Sequence, residues 1–176
     1  MTAPAAVPDL HRAYRAVLVA VSYPGRPVPV AATAGAALRL VLLSTWDPGT
    51  PLALAGAAPE LPWEAVLVPA AEAELLVVGG RCSGGALAGL PRGDEDRPEI
   101  GATAVYSAGR GADLRVRLRG PGIAGHLDTT LPLDPDELAV RDQACADWPR
   151  GVDLLAVDDR GRITALPRTT RVEPRR

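Results

Sequence analysis

The sequence predicts an α/β protein: a single domain with a mixed β-sheet and flanking helices. Three observations carry this. Apolar helical stretches come first, and short β-rich runs alternate with helices after them. Residues 151–172, GVDLLAVDDRGRITALPRTTRV, read as two strands around a tight turn. The chain has 176 residues, which suits one domain able to bury about 70% of its unfolded surface without disulfide or metal. The expected domain is 1–176, with 1–8 and 173–176 as flexible ends.

The elements follow from local signals. Asp9 has the character of an N-cap, and Leu10, Tyr14, Val17, Leu18 and Val21 fall on one helical face, with Arg12 and Arg15 off it. Pro24-Gly25 ends this helix in a turn. Residues 31–44 read as a second helix, apolar nearly all round apart from Arg39 and so well buried, and Asp47-Pro48-Gly49 stops it. A short strand at 51–55 and a short helix at 60–67 come next. Residues 73–78 are an apolar strand that runs into GGRCSGG (79–85) and a short Ala/Leu helix ending near Leu90. Such a loop can cradle phosphate on backbone N–H groups. Its spacing fits neither GxxxxGK[ST] nor GxGxxG, so a flexible loop is the plainer reading. GDEDRPE (93–99) is an acidic, solvated connection, and 101–108 is a strand.

From Asp113 to Arg119 the pattern alternates, with Leu114, Val116 and Leu118 facing one way and Arg115, Arg117 and Arg119 the other. Gly120-Pro121-Gly122 is a sharp turn, and 126–131 pairs back as another strand. Asp134, Pro135 and Glu137 mark a helix start, with Glu137 spaced for a capping box, and the helix runs to about Ala146. In the terminal hairpin, 152–157 is a buried strand, Asp158-Asp159-Arg160-Gly161 the turn and 162–166 the return strand. Pro167 cannot donate to a ladder, so pairing stops there and Arg168, Thr169 and Thr170 fall in irregular structure.

Composition excludes several functions. A net charge of −2 opposes a general nucleic-acid binder, and 3% aromatics without Phe opposes base-stacking platforms. All 19 basic residues are Arg, so no side-chain amine is present for a Schiff base, a phosphate-loop lysine or a Ser-Lys dyad. The start MTAPAAVPDL lacks the pattern of a signal peptide, and the longest apolar stretch, 28–44, is too short and too interrupted to span a bilayer. The expected location is cytoplasmic, with no membrane or nucleic-acid partner and with Cys82 and Cys145 as free thiols.

Candidate chemistry is sparse. Arg168, Thr169 and Thr170 supply a fixed cation and two hydroxyls, which suits a phosphate oxygen and is also ordinary surface. The Arg115/Arg117/Arg119 face suits a polyphosphate or an acidic partner, or is simply solvated. His126 and Asp128 stand two apart, as an acid–base pair on a strand or as exposed residues. Asp153, inside an apolar strand, needs a partner if buried, and an Arg is the natural one. No zinc or iron–sulfur ligand set and no GxSxG elbow are present, so no catalytic residue, metal or cofactor is expected.

Five segments in order carry a family resemblance. Tyr14-Arg15 through Ser22-x-Pro24-Gly25, Pro98-Glu99-Ile100-Gly101-Ala102-Thr103, Leu118-x-Gly120-Pro121-Gly122-Ile123, Trp148-Pro149-x-Gly151-Val152-Asp153 and the 151–172 stretch itself resemble the H subunit of the bacterial carbon–phosphorus lyase system, the PhnH family. Trp148 stands where that family usually has Phe, and 55–97 resembles it least. The resemblance implies a fold similar to the core of pyridoxal-phosphate-dependent transferases without the cofactor site, in keeping with the absence of lysine. It makes Pro24, Gly25, Gly120, Gly122, Gly151 and Asp153 structural motif positions. It also implies a non-catalytic subunit of a core complex with the G, I and J subunits, in direct contact with J, working with the ATP-binding-cassette-like L subunit and forming a homodimer when isolated. That complex makes α-D-ribose 1-alkylphosphonate 5-triphosphate from ATP and an alkylphosphonate. The other function the residues allow is a stand-alone binding module for a phosphorylated or nucleotide ligand.

Overall fold

The computed structural model describes residues 6–57 and 59–175. Its centre is a seven-stranded sheet built from β1 (Val28–Pro29), β2 (Pro51–Gly56), β3 (Val66–Leu67), β4 (Leu75–Gly79), β5 (Thr103–Gly109), β8 (Asp153–Asp158) and β9 (Arg162–Leu166), in the order β1-β9-β8-β5-β4-β2-β3. The inner strands β2, β4, β5 and β8 run parallel, while β9 and β1 add antiparallel at one edge. A sheet covered on both faces needs apolar residues at nearly every position. Leu75, Leu76, Val77 and Val78 of β4 are accordingly all buried.

One face of this sheet carries α1 (Val7–Ser22) and α2 (Ala34–Thr45). Leu75, Val77, Val105, Leu155, Val157 and Ile163 meet them there. The alternate residues Leu76, Val78, Ala104, Tyr106, Leu154 and Ala156 pack on the other side. That side is closed by α3 (Pro135–Ala144) and a three-stranded antiparallel sheet of β6 (Leu114–Arg119), β7 (Leu127–Leu131) and β10 (Arg171–Pro174), ordered β10-β6-β7. Val116, Leu118, Leu131 and Val172 are its contribution to the second core.

The mixed sheet, both flanking helices and the terminal hairpin follow the expectations; several details do not. α1 begins at Val7 rather than after Asp9, because Pro8 suits the first turn, and Asp9 pairs there with Arg12 at 3.1 Å. Its buried face is Ala13, Ala16, Val17 and Ala20, which lets it lie close against its neighbours, while Tyr14, Leu18 and Val21 stay outside. The helix expected at 60–67 is absent. Pro62 breaks the segment, which ends in β3. The short helix after GGRCSGG is a single 3₁₀ turn, Ala86–Gly89. The chain resumes pairing after Pro167: β10 joins β6, with Val172 opposite Leu118. Of the ends expected to be flexible, Val7 and Pro8 are helical and Glu173 and Pro174 lie in β10, while 1–5 and 176 fall outside the described residues.

The Pro24-Gly25 and Gly120-Pro121-Gly122 motifs meet in space. The Gly25 N–H donates to Ala165 O in the large sheet at 3.0 Å, and its carbonyl accepts from Thr129 Oγ1 of the small sheet at 3.2 Å. Gly25 and Gly122 both have φ +79°, where L side chains strain. A Cβ on Gly25 would overlap Leu118, and one on Gly122 would overlap the Ser22 carbonyl oxygen. The end of α1 is thereby clamped between the two sheets.

Candidate functional site

Three segments far apart in sequence converge at the amino ends of β5 and β8, and Arg168 ties them. Asp153 opens β8, and its carboxylate accepts from the Arg168 backbone N–H at 2.7 Å, from Nη2 at 2.6 Å and from Nε at 3.2 Å. Nη1 donates to Pro98 O, and Nη2 also reaches Gly101 O at 3.3 Å. Gly151 donates to Arg92 O at 2.8 Å and completes the junction. The guanidinium expected to hold an anion thus holds Asp153 and two carbonyls. Asp153 has the Arg partner that its position in an apolar strand called for.

A second, deeper arginine was not singled out by the sequence reading. Arg141 on α3 is 1% exposed and braces the turn before β10. Nη1 donates to Thr170 O at 2.6 Å and to Asp142 Oδ1 at 3.1 Å, and Nη2 donates to Pro167 O at 2.6 Å. Its Nε–H has no acceptor, and the buried Thr170 Oγ1 has no partner either. Leaving such donors unpaired costs about 1–3 kcal/mol each. A signal was present in the sequence: Leu138, Arg141 and Cys145 recur at three and four residues, so a charge sits on an apolar helix face.

Arg141 and Thr170 line a cavity of about 670 Å³ between α3 and the 167–171 turn. Pro121, Cys145, Ala146 and Trp148 supply apolar lining, and Asp142, Arg168, Thr169 and Arg171 supply the polar remainder. Trp148 is 70% exposed. The volume lies in the range of small-molecule pockets.

The three arginines of β6 are not equivalent. Arg117 donates to both Asp128 oxygens at 2.7 Å from Nε and Nη2, across the β6–β7 pair. The Arg117 hydrogen bond and charge hold the Asp128 carboxyl well below its usual range, at about 2. Arg119 lies 3.7 Å from Glu173 of β10, and Arg115 is exposed. Asp128 is therefore tied to Arg117, and His126 sits just before β7, on the surface.

The glycine-rich loop has a structural task as well. Glu137 is spaced for a capping box but turns inward and is 1% exposed. It accepts hydrogen bonds from the Tyr106 hydroxyl and from Cys82 Sγ, the latter at 3.2 Å. Burial, with the Glu137 hydrogen bond and charge, pushes the Tyr106 phenol far above its usual range. The Gly84 N–H favours the Cys82 thiolate, but burial and the Glu137 carboxylate outweigh it, so the thiol is raised. Arg81 ties the same loop to the β5–β6 connection, donating to Ala112 O at 2.6 Å. At the carboxyl ends of β2 and β4 the pairing continues one step past the strands, with Ala57 N–H donating to Gly79 O at 3.0 Å.

Among the described residues, no group of three or more His, Cys, Asp and Glu side chains is disposed to hold a metal, and no helix is long and apolar enough to cross a membrane. These features define a mixed α/β protein whose loop segments are laced by two arginines beside an open, half-apolar cavity. Residues 4–173 match the model of a family described as bacterial phosphonate metabolism protein (PhnH). The chain is also 36% identical, over 173 residues, to a protein named putative C-P lyase subunit protein HtxG from Stutzerimonas stutzeri, covering 94% of this chain and 86% of that one. The chain belongs to the PhnH family of bacterial phosphonate metabolism proteins.

Proposed function

We propose that this chain is a non-catalytic subunit of a carbon–phosphorus lyase core complex, assembling with G, I and J subunits and touching J directly, with the L subunit acting alongside. In this reading it supports synthesis of α-D-ribose 1-alkylphosphonate 5-triphosphate from ATP and an alkylphosphonate in the cytoplasm, and pairs with itself when isolated. The observation that carries the reading is the family match over nearly the whole chain, and the relative's description as a putative C-P lyase subunit supports it. We also place the fold near the core of pyridoxal-phosphate-dependent transferases. The absence of lysine speaks against an internal aldimine in this chain.

The surface of α1 supports an assembly role. Val7, Tyr14, Leu18 and Val21 are exposed and recur at steps of three, four and seven residues, the spacing of a helix seam that packs on a partner. Co-expression with the G, I and J subunits tests the reading. The tagged chain should retain J through size-exclusion chromatography, and Leu18→Glu should release it without lowering the melting temperature by more than a degree or two, since Leu18 is 48% exposed. Failure to co-elute with any of the three subunits would refute it.

A further inference from the structure

We infer that the groove at the amino ends of β5 and β8 seats a basic segment of a partner subunit, one that presents an apolar side chain beside an arginine or lysine. The inference rests on the assembly reading above and adds to it the chemistry of the bound segment. Two hollows meet there. The first, about 200 Å³, opens between the ends of α1 and α2, with Val17, Val21, Leu155 and Pro167 in its wall. The second, about 420 Å³, is lined by Glu74, Glu99 and Ile100. Trp46 and Thr103 line both, so the two are continuous. Val21, 44% exposed, carries the apolar seam of α1 into the same groove.

The surplus charge of the groove has one sign. Asp153 lines the first hollow but is neutralised by Arg168. Glu74 and Glu99 are exposed and have no ion-pair partner among the described residues. Two open carboxylates beside the half-buried Trp46 indole suit a long cationic side chain, its head by the carboxylates and its stem along the ring. An acidic segment would meet like charge, which opposes association. The groove is also held in shape. Glu99 and Ile100 stand on the turn Pro98–Ile100, and Arg168 fixes that turn by donating to Pro98 O and, at 3.3 Å, to Gly101 O. Arg168 therefore holds in place a turn whose Ile100 is 48% exposed. A surface presented on a fixed backbone loses little further freedom when a partner covers it, which is how preorganised contacts gain affinity.

The test uses the full chain with the G, I and J subunits. A photo-cross-linking side chain in place of Ile100 should capture a partner-subunit peptide that has Arg or Lys beside an apolar residue. Glu74→Arg combined with Glu99→Arg, both at exposed positions, should leave the melting temperature nearly unchanged. It should slow association with the three subunits roughly tenfold at low salt, and the difference should close as salt is raised. Asp159→Arg, just past β8 at the other end of the strand, should change the rate by less than about twofold. Wild-type association that does not respond to the double reversal would overturn the groove and leave the assembly reading standing. Capture of an acidic peptide, or of a second copy of this chain, at position 100 would do the same. A wild-type chain that retains none of the three subunits would overturn both.

Discussion

At the residue scale the protein spends its charge on internal ties. Arg168→Ala would strip Asp153 of its partner and leave the Pro98 and Gly101 carbonyls short of a donor. Asp153 keeps about a third of its side chain exposed. The loss should therefore sit near the low end for a broken buried pair, about 3 kcal/mol by urea denaturation. Arg168→Lys should recover little of it, since a single ammonium cannot reproduce the fork. Tyr106→Phe removes a donor from the buried Glu137 carboxylate and should cost about 1–3 kcal/mol in the same measurement. Tyr106 also sets an alkaline limit. Its folded pKa is raised, so the stability it contributes is complete below the unfolded value near ~10 and is lost as pH climbs beyond it. Asp128 has the opposite sign. Its depressed pKa contributes stability above the unfolded value of ~3.9 that disappears as pH falls through about 2. The pair is solvated, so the effect should be small and weakened by salt. In Arg117→Ala, a two-dimensional NMR titration should find the Asp128 carboxyl back near its ordinary range.

At the element scale, β10 and α1 show where local reading succeeds and where it stops. The alternation in β6 predicted the inward Val116 and Leu118 because a strand's two faces are written at a period of two. β10 carries only four residues beyond a proline-led turn, and its partner β6 lies some fifty residues earlier in the chain. Nothing local marks it as a strand. Val172→Asp would place a carboxylate at an 8% exposed position opposite Leu118. It should lower the urea midpoint strongly and uncover the edge of β6 to aggregation, visible by light scattering. In α1 the large apolar residues define a face that remains exposed, and alanines define the buried one. Hydrophobic periodicity marks a face that will be covered; it does not say whether the cover is the same chain or a partner.

For the whole molecule, the large sheet is shared by two cores, one under α1 and α2, the other under α3 and the small sheet. Loss of either strips one face of the same strands, so the layers should unfold together, as we propose for a single domain. Trp46 and Trp63 report the first core. Tryptophan fluorescence and far-UV circular dichroism should therefore trace one coincident urea transition, and two separated transitions would divide the molecule. Strand alternation, proline and glycine punctuation and the apolar terminal hairpin made the mixed α/β architecture legible, because each is encoded within a few neighbouring residues. The same residues carried the likeness to the PhnH family. What only tertiary structure decided is how segments distant in sequence share one arginine. Arg168 turned inward to Asp153, Glu137 left its cap for Tyr106, and Arg141 was drawn beneath the 167–170 turn beside Thr170. A charged side chain's role depends on which acceptors the fold brings within about 3 Å of it, and those acceptors lie tens of residues away in the chain.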